Sequence, residues 1–409
     1  MFILLLIFKL VFCFNYFLYK DDYNKIKNKK TTIVKNSDSF KNFKKYDTLL
    51  VKDNIVLEEV LVNNPVQIMG INKPIISGNY YKNIIIINSN NVVLNNISIE
   101  NSGKSCVTDY SGILIENSFY CKIKNNLFRN NSYSIYIANS KYCEVVNNII
   151  LSTISDNITS GNGIHLWKTE NIFISNNLIK NHRDGIYIEF SSNMLIKNNI
   201  SLNNIRYGLH FMFSNFGVYC NNYFLNNQTG VAVMFSNNIK MLLNNFIKSW
   251  GNSSYGLLLK DINDSFIIGN NFFSNTKAVF VDGCNRNKFF LNFFKYNAWS
   301  LDIWGNSENN IFFDNVFFYN YFDISTNSKN LNNFFNKNYW SKSPLIDLDR
   351  DHICDIFYRP VEVFGIWVAK YHELSILLNS LVLSFLEYTE KLFPFFIPLN
   401  LIDFFPLLN

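Results

Sequence analysis

The chain has 409 residues, with 37 Lys+Arg against 31 Asp+Glu and a formal net charge of +6. The lysines crowd ahead of Leu50. No basic stripe interleaved with aromatics follows them, which argues against a nucleic-acid surface. Asn, Lys, Ile, Phe and Tyr abound together, a set typical of A/T-rich coding, so the scarce types say more. The arginines are Arg129, Arg183, Arg206, Arg286, Arg350 and Arg359, and the histidines His165, His182, His210, His352 and His372.

Residues 1–19 are apolar, with Lys9 inside the run, and predict a secretory signal peptide or an uncleaved N-terminal anchor. Phe12 before Cys13 argues against a lipoprotein signal. Residues 20–47 form a polar lead-in. From Tyr46 to Ile75 come strand-like runs without clean register, the irregular first coils of a solenoid.

The body then repeats about every 22 residues. Gly163, Gly185, Gly208, Gly230 and Gly256 each open a strand, and weaker copies follow Gly112, Ser134, Ala278 and Ser300. Self-similarity at this period, with short β runs and no helical periodicity, predicts a right-handed parallel β-helix over residues 48–340. Paired asparagines recur after each strand, from Asn125-Asn126 to Asn270-Asn271. Their amides are expected to stack as hydrogen-bonded ladders at the turns. Cys121 and Cys143 fall at equivalent places in successive coils, either as a buried stack of thiols or as a disulfide.

Strand side chains alternate. Ile164, Leu166, Ile186, Ile188, Leu209, Phe211, Val231 and Val233 are expected inside. The outer face then carries His165, Trp167, Tyr187, Glu189, His210, Met212, Ala232 and Met234. A solvated face would carry Lys, Ser and Thr; this strip suggests a binding surface. Arg183 and Arg206 lie in adjacent coils and need Asp184, Glu189 or a bound anion beside them.

Residues 341–360 hold an acidic loop. Asp347, Asp349, Asp351 and Asp355 are spaced like calcium ligands, although His352 stands where the sharp turn wants Gly. Calcium and a metal-free cap are both open. Residues 361–409 form an apolar tail. Leu374, Leu377, Leu378, Leu381, Val382, Phe385 and Leu392 follow helical spacing over a run too short to span a bilayer.

The strings Arg183-Asp184-Gly185-Ile186-Tyr187-Ile188-Glu189-Phe190-Ser191 and Arg206-Tyr207-Gly208-Leu209-His210-Phe211-Met212-Phe213-Ser214 resemble the NosD family. So do Gly230 to Ser236, Asn338-Tyr339-Trp340 and Tyr358-Arg359-Pro360-Val361. The resemblance implies a non-enzymatic periplasmic protein, associated with the membrane through an ABC transporter built of NosF and NosY. It further implies a role in copper-cluster assembly of nitrous-oxide reductase, with copper received from the chaperone NosL. On that reading Cu(I) is expected at His210, Met212 and Met234, with His165 at a second, transient site, because soft Cu(I) favours thioether and imidazole donors. Trp167, Tyr187, Glu189, Arg183 and Arg206 would meet soluble partners, and Leu377, Leu381 and Phe385 the membrane subunit. The alternative is a secreted carbohydrate-active or carbohydrate-binding β-helix.

Overall fold

The computed structural model describes residues 31–34, 39, 47–153, 160–328, 331–344, 346–378, 380–392 and 401–408. The expected signal or anchor at residues 1–19 lies outside them. The described chain is a parallel β-solenoid of about 12 turns, with roughly 23 residues per coil. Its strands stack into three parallel sheets of 14, 12 and 13 strands.

The solenoid begins earlier than the sequence pattern suggests. Thr31–Val34 pairs in parallel with Thr48–Val51. This β-branched run buries Val34 and covers an edge that Thr48–Val51 would otherwise expose. The last described strand is Tyr339–Trp340.

Inside, like stacks on like. Ile164, Ile186, Leu209, Val231 and Leu257 are paired from coil to coil and fully buried. In the third sheet Phe224, Phe246, Phe272, Phe294, Phe317 and Trp340 form one ring stack, with centroids 4.0–5.5 Å apart. Offset stacking adds to what burial alone gives. Glycine opens the strands for a steric reason. A Cβ at Gly208 would lie 2.6 Å from the Gly230 carbonyl oxygen and 2.8 Å from Phe224.

The asparagine pairs divide their work. Asn125, Asn147, Asn176, Asn198 and Asn221 take left-handed backbone, φ 53–58°. The following asparagine turns inward and joins a ladder. Nδ2 of each donates to Oδ1 of the next, from Asn126 through Asn148, Asn177, Asn199, Asn222, Asn244, Asn270, Asn292 and Asn315 to Asn338. Each link measures 2.9–3.2 Å. At Asn244-Asn245 and Asn270-Asn271 the first residue is the ladder member, because Leu243 and Gly269 hold the left-handed place. The ladder ends on Asp403, whose Oδ2 accepts from Asn338 N, Asn338 Nδ2 and Trp340 Nε1. Cys121 and Cys143 are buried free thiols, not a disulfide.

The tail folds back on the last coil. Helix α1, Val363–Lys370, packs Phe364 and Val368 against Phe322. A 3-10 turn over His372–Leu377 follows, then helix α2, Leu381–Leu392. The tail is thus not one continuous helix. The chain extends at Leu378, and the Ser380 hydroxyl accepts the Leu383 N–H at 3.3 Å to start α2 afresh. Residues 401–408 return to the solenoid end, where Asp403 bridges to Phe335 and Tyr358. Among the described residues no helix is long and apolar enough to cross a membrane.

Candidate functional site

The outer face of the 12-stranded sheet holds the residues singled out from the sequence. His165, Tyr187 and His210 stack in one column of successive coils, and Met212 and Met234 are direct partners in the next. The two imidazoles face outward yet are not exposed, at 7% and 6% accessibility. Aromatic neighbours close over them. His165 lies 4.5 Å from the Tyr136 ring and 4.8 Å from Tyr187; His210 lies 4.8 Å from Tyr187 and 4.6 Å from Tyr207. Met212 and Met234 remain half-buried. The strip is therefore layered, with imidazoles beneath and thioethers at the rim.

Three of the four imidazole nitrogens lack hydrogen-bond partners. Nε2 of His165 and both nitrogens of His210 are buried and unpaired. Nδ1 of His210 sits 3.6 Å from Asp184 Oδ2, too long for a hydrogen bond, so that contact is electrostatic. Burial lowers the His165 pKa to about 3, with the Arg183 charge adding to the shift and Asp184 opposing it. His165 is thus neutral at physiological pH, and its Nδ1 lies 3.4 Å from Asn162 Nδ2. The Tyr187 hydroxyl approaches Met212 Sδ at 3.8 Å. The buried His210 imidazole beside the Met212–Met234 pair makes a donor set suited to a soft cation.

Asp184 anchors the strip. It is fully buried, and Arg206 grips it with two bonds, Nε to Oδ1 at 3.0 Å and Nη2 to Oδ2 at 2.6 Å. Burial pushes the Asp184 carboxyl up, but His210 and the Arg206 fork outweigh it and hold the pKa below its ordinary value. Arg206 thereby finds the counter-charge the sequence demanded. Arg183 instead approaches the Tyr133 hydroxyl, which Asp109 also contacts. Trp167 is half-buried beneath Lys168, whose Nζ sits 4.3 Å from its ring. Glu189 is half-buried beside Tyr187.

A second cation–carboxylate pair escaped the sequence reading. Lys277 Nζ bonds Asp302 Oδ2 at 2.7 Å and lies 5.6–6.0 Å from the rings of Tyr255, Phe280 and Trp299. Oδ1 of Asp302 is buried without a partner. The signal was present as a spacing. Lys277 to Asp302 spans 25 residues and Asp184 to His210 spans 26, so both pairs join the residue before the glycine position to the second residue after it, one coil on.

In the acidic loop, carboxylate oxygens of Asp347, Asp349 and Asp351 lie within 4.8 Å of one another. Asp355 is not in that trio; its Oδ2 accepts the Leu348 N–H. The Asp351 N–H pulls the Asp349 pKa down, but partial desolvation and the neighbouring Asp351 and Asp355 charges outweigh it, and the net shift is upward. His352 adopts φ 67°, the left-handed turn that Gly normally takes. Clustered hard oxygens fit a calcium ion better than a soft metal.

In the tail, Leu377 packs beside Leu374, Leu378 and Leu386 against the chain's own last coil. It is therefore not an open partner contact. Leu381, Val382, Phe385 and Tyr388 are exposed on α2.

Comparison with known proteins gives one family match. Residues 151–347 fit the family described as periplasmic copper-binding protein (NosD). No curated protein matches. Among solved structures the chain resembles the Dettilon tailspike protein gp208, with 13% identity, a TM-score of 0.55, and 71% of this chain and 62% of the tailspike covered. It thus spans less than two thirds of that protein. It also resembles the Streptococcus pneumoniae surface protein and adhesin PfbA, with 16% identity, TM-score 0.48, and 72% and 90% covered. The periplasmic alginate epimerase AlgG shows 14% identity, TM-score 0.46, and 71% and 76% covered. At these identities the tailspike likeness speaks for the fold alone.

Proposed function

We propose that this chain, whose residues 151–347 fit the NosD family of periplasmic copper-binding proteins, is a periplasmic copper-handling scaffold for copper-cluster assembly of nitrous-oxide reductase. One observation carries the proposal: His210, whose ring nitrogens are buried without hydrogen-bond partners, shares a strand with Met212, and Met212 pairs with Met234 in the next coil. Cu(I) is the cargo. The strands hold the donors, Asp184 and the flanking tyrosines fix His210, and the aromatic surround keeps water from the ion. Imidazole nitrogen and thioether sulfur are the donor types that soft Cu(I) favours.

The remaining partners follow the family. NosL would deliver copper, and the NosF/NosY transporter would hold the scaffold at the membrane through Leu381 and Phe385 on α2. Truncating the tail is a poor test of that contact, because it removes Asp403 and uncaps the ladder. The double variant Leu381→Ser/Phe385→Ser should fold normally and lose co-purification with the transporter. The acidic loop would act as a calcium-stabilised cap, and EGTA should then lower the unfolding midpoint.

Anaerobic titration decides the copper reading. His210→Ala/Met212→Ala/Met234→Ala should bind Cu(I) at least tenfold more weakly than wild type. Equal affinity overturns it. In the cell, deleting the gene should leave the reductase without its copper cluster.

The Lys277–Asp302 pair among aromatic rings favours a second reading, a carbohydrate-binding or carbohydrate-active β-helix. Cleavage or binding of pectin or alginate, lost in Lys277→Met, would support it.

A further inference from the structure

The turn closing each strand of the 12-stranded sheet is left-handed in eight successive coils, at Asn117, Asn139, Lys168, Phe190, Phe213, Phe235, Asp261 and Gly283, with φ between 47° and 63°. Left-handed backbone suits Gly and Asn and disfavours bulky side chains. Three consecutive coils nevertheless use phenylalanine, and these rings are 50%, 39% and 38% exposed. They stack in parallel, with centroids 5.2 and 5.0 Å apart and interplanar angles of 6° and 13°. Two other turns stack aromatic pairs, Tyr120 on Tyr142 and Tyr296 on Tyr319, but those hydroxyls offer water a partner. The phenylalanines offer none.

Parallel stacking covers the faces between neighbouring rings, so along the ridge it is mainly ring edges that meet solvent. Saccharides pack on ring faces, so a ridge of edges does not suit them. It suits a groove between side chains of another protein. The ridge also has polarity. Exposed Lys168 precedes Phe190 by one coil and exposed Asp261 follows Phe235 by one coil. They are four strand spacings apart, about 19 Å. The ridge is continuous with the copper donors: Phe213 follows Met212, and Phe235 follows Met234. The thioethers at the rim are the accessible side of the donor set, so cargo passing in or out crosses this edge.

We infer that the Phe190–Phe213–Phe235 ridge is the docking edge for a protein that exchanges Cu(I) with this chain. That partner would present an apolar groove with an acidic side chain at the Lys168 end and a basic one at the Asp261 end. The inference rests on the copper reading above and adds to it the place and chemistry of the contact. Exchange passes Cu(I) between soft donor sets, with no change of oxidation state.

The test uses the full chain and Phe190→Asn/Phe213→Asn/Phe235→Asn. Asparagine already occupies this turn at positions 117 and 139, so folding is preserved and the unfolding midpoint should hold or rise. Cu(I) affinity should stay within about twofold of wild type. Binding is measured to two probes, the purified copper donor and the apo-reductase. At least one should bind wild type and lose at least tenfold in the triple variant. Lys168→Glu should weaken the same complex. Three results overturn the inference: unchanged binding by the triple variant, no binding of either probe to wild type, or a wild-type homodimer that the triple variant dissolves. Absence of Cu(I) binding by wild type would instead sink the copper reading, and the protein-binding measurement would stand apart from it.

Discussion

The two faces of a single strand obey different rules. Inward from Asp184–Glu189 and Tyr207–Met212, Ile186 meets Leu209 and Ile188 meets Phe211, and the same chemistry recurs in every coil. Outward, the column reads His165, Tyr187, His210, Ala232, Leu258, Phe280, Asp302, changing at each step. Inside, each side chain must fit the two above and below it, so the stack tolerates only small changes of shape. Outside, a residue answers to solvent and to whatever binds.

That contrast can be broken most forcefully at Ile188. Ile188→Asp should bury an unpaired charge and cost several kcal/mol, enough to prevent cooperative folding. Glu189→Ala, one residue on, should shift stability by less than about 0.5 kcal/mol. Chemical denaturation of both variants checks the pair; the opposite ranking would reverse the faces. Arg206→Ala is the outer-face counterpart. It should cost about 2–4 kcal/mol, discounted from the fully buried case because the guanidinium is partly in water, since Asp184 loses its fork. Arg206→Lys should recover only part of this in the same assay.

The pH dependence sharpens the contrast further, because Asp323 is an acid placed by the inner rule. It is fully buried, accepts a hydrogen bond from the Tyr358 hydroxyl at 3.0 Å, and burial raises its pKa to about 7. A raised carboxyl means the folded state holds the proton longer than the unfolded one. Its contribution is therefore favourable below about pH 4 and is lost as pH climbs toward 7, by up to about 1.4 kcal/mol per unit. Asp323→Asn should raise the unfolding midpoint at pH 7.5 and leave it nearly unchanged at pH 4. Calorimetry across that window reads the difference. Asn222→Ala should cost less than Ile188→Asp, about 1–3 kcal/mol, by leaving buried partners on both sides of the gap unpaired.

Legibility follows the same division. The period, the inward residues and the turn asparagines could be read because a solenoid repeats its constraints. Outward, the sequence placed His210 and His165 on the right face but not under a roof of tyrosines, since burial there comes from side chains one coil away. The Lys277–Asp302 pair was hidden by a diagonal spacing. The left-handed phenylalanines could not be found from hydrophobicity, because their distinction is a backbone angle. Asp403 lies 65 residues from Asn338 in sequence, and no local pattern connects them.

Asp403 also settles where the fold stops. An asparagine in its place would accept from Asn338 and then offer an amide N–H onward, an invitation to another coil or another molecule. A carboxylate has acceptors only. Its oxygens take three N–H groups from the last coil and one from Phe405. The aligned amides point their positive ends at it, as a helix N-terminus does toward an anion. Stacked strands are otherwise the geometry of an endless fibre. In this chain one acid supplies the grammar of a full stop, and it makes the length of the solenoid a property encoded at its far end.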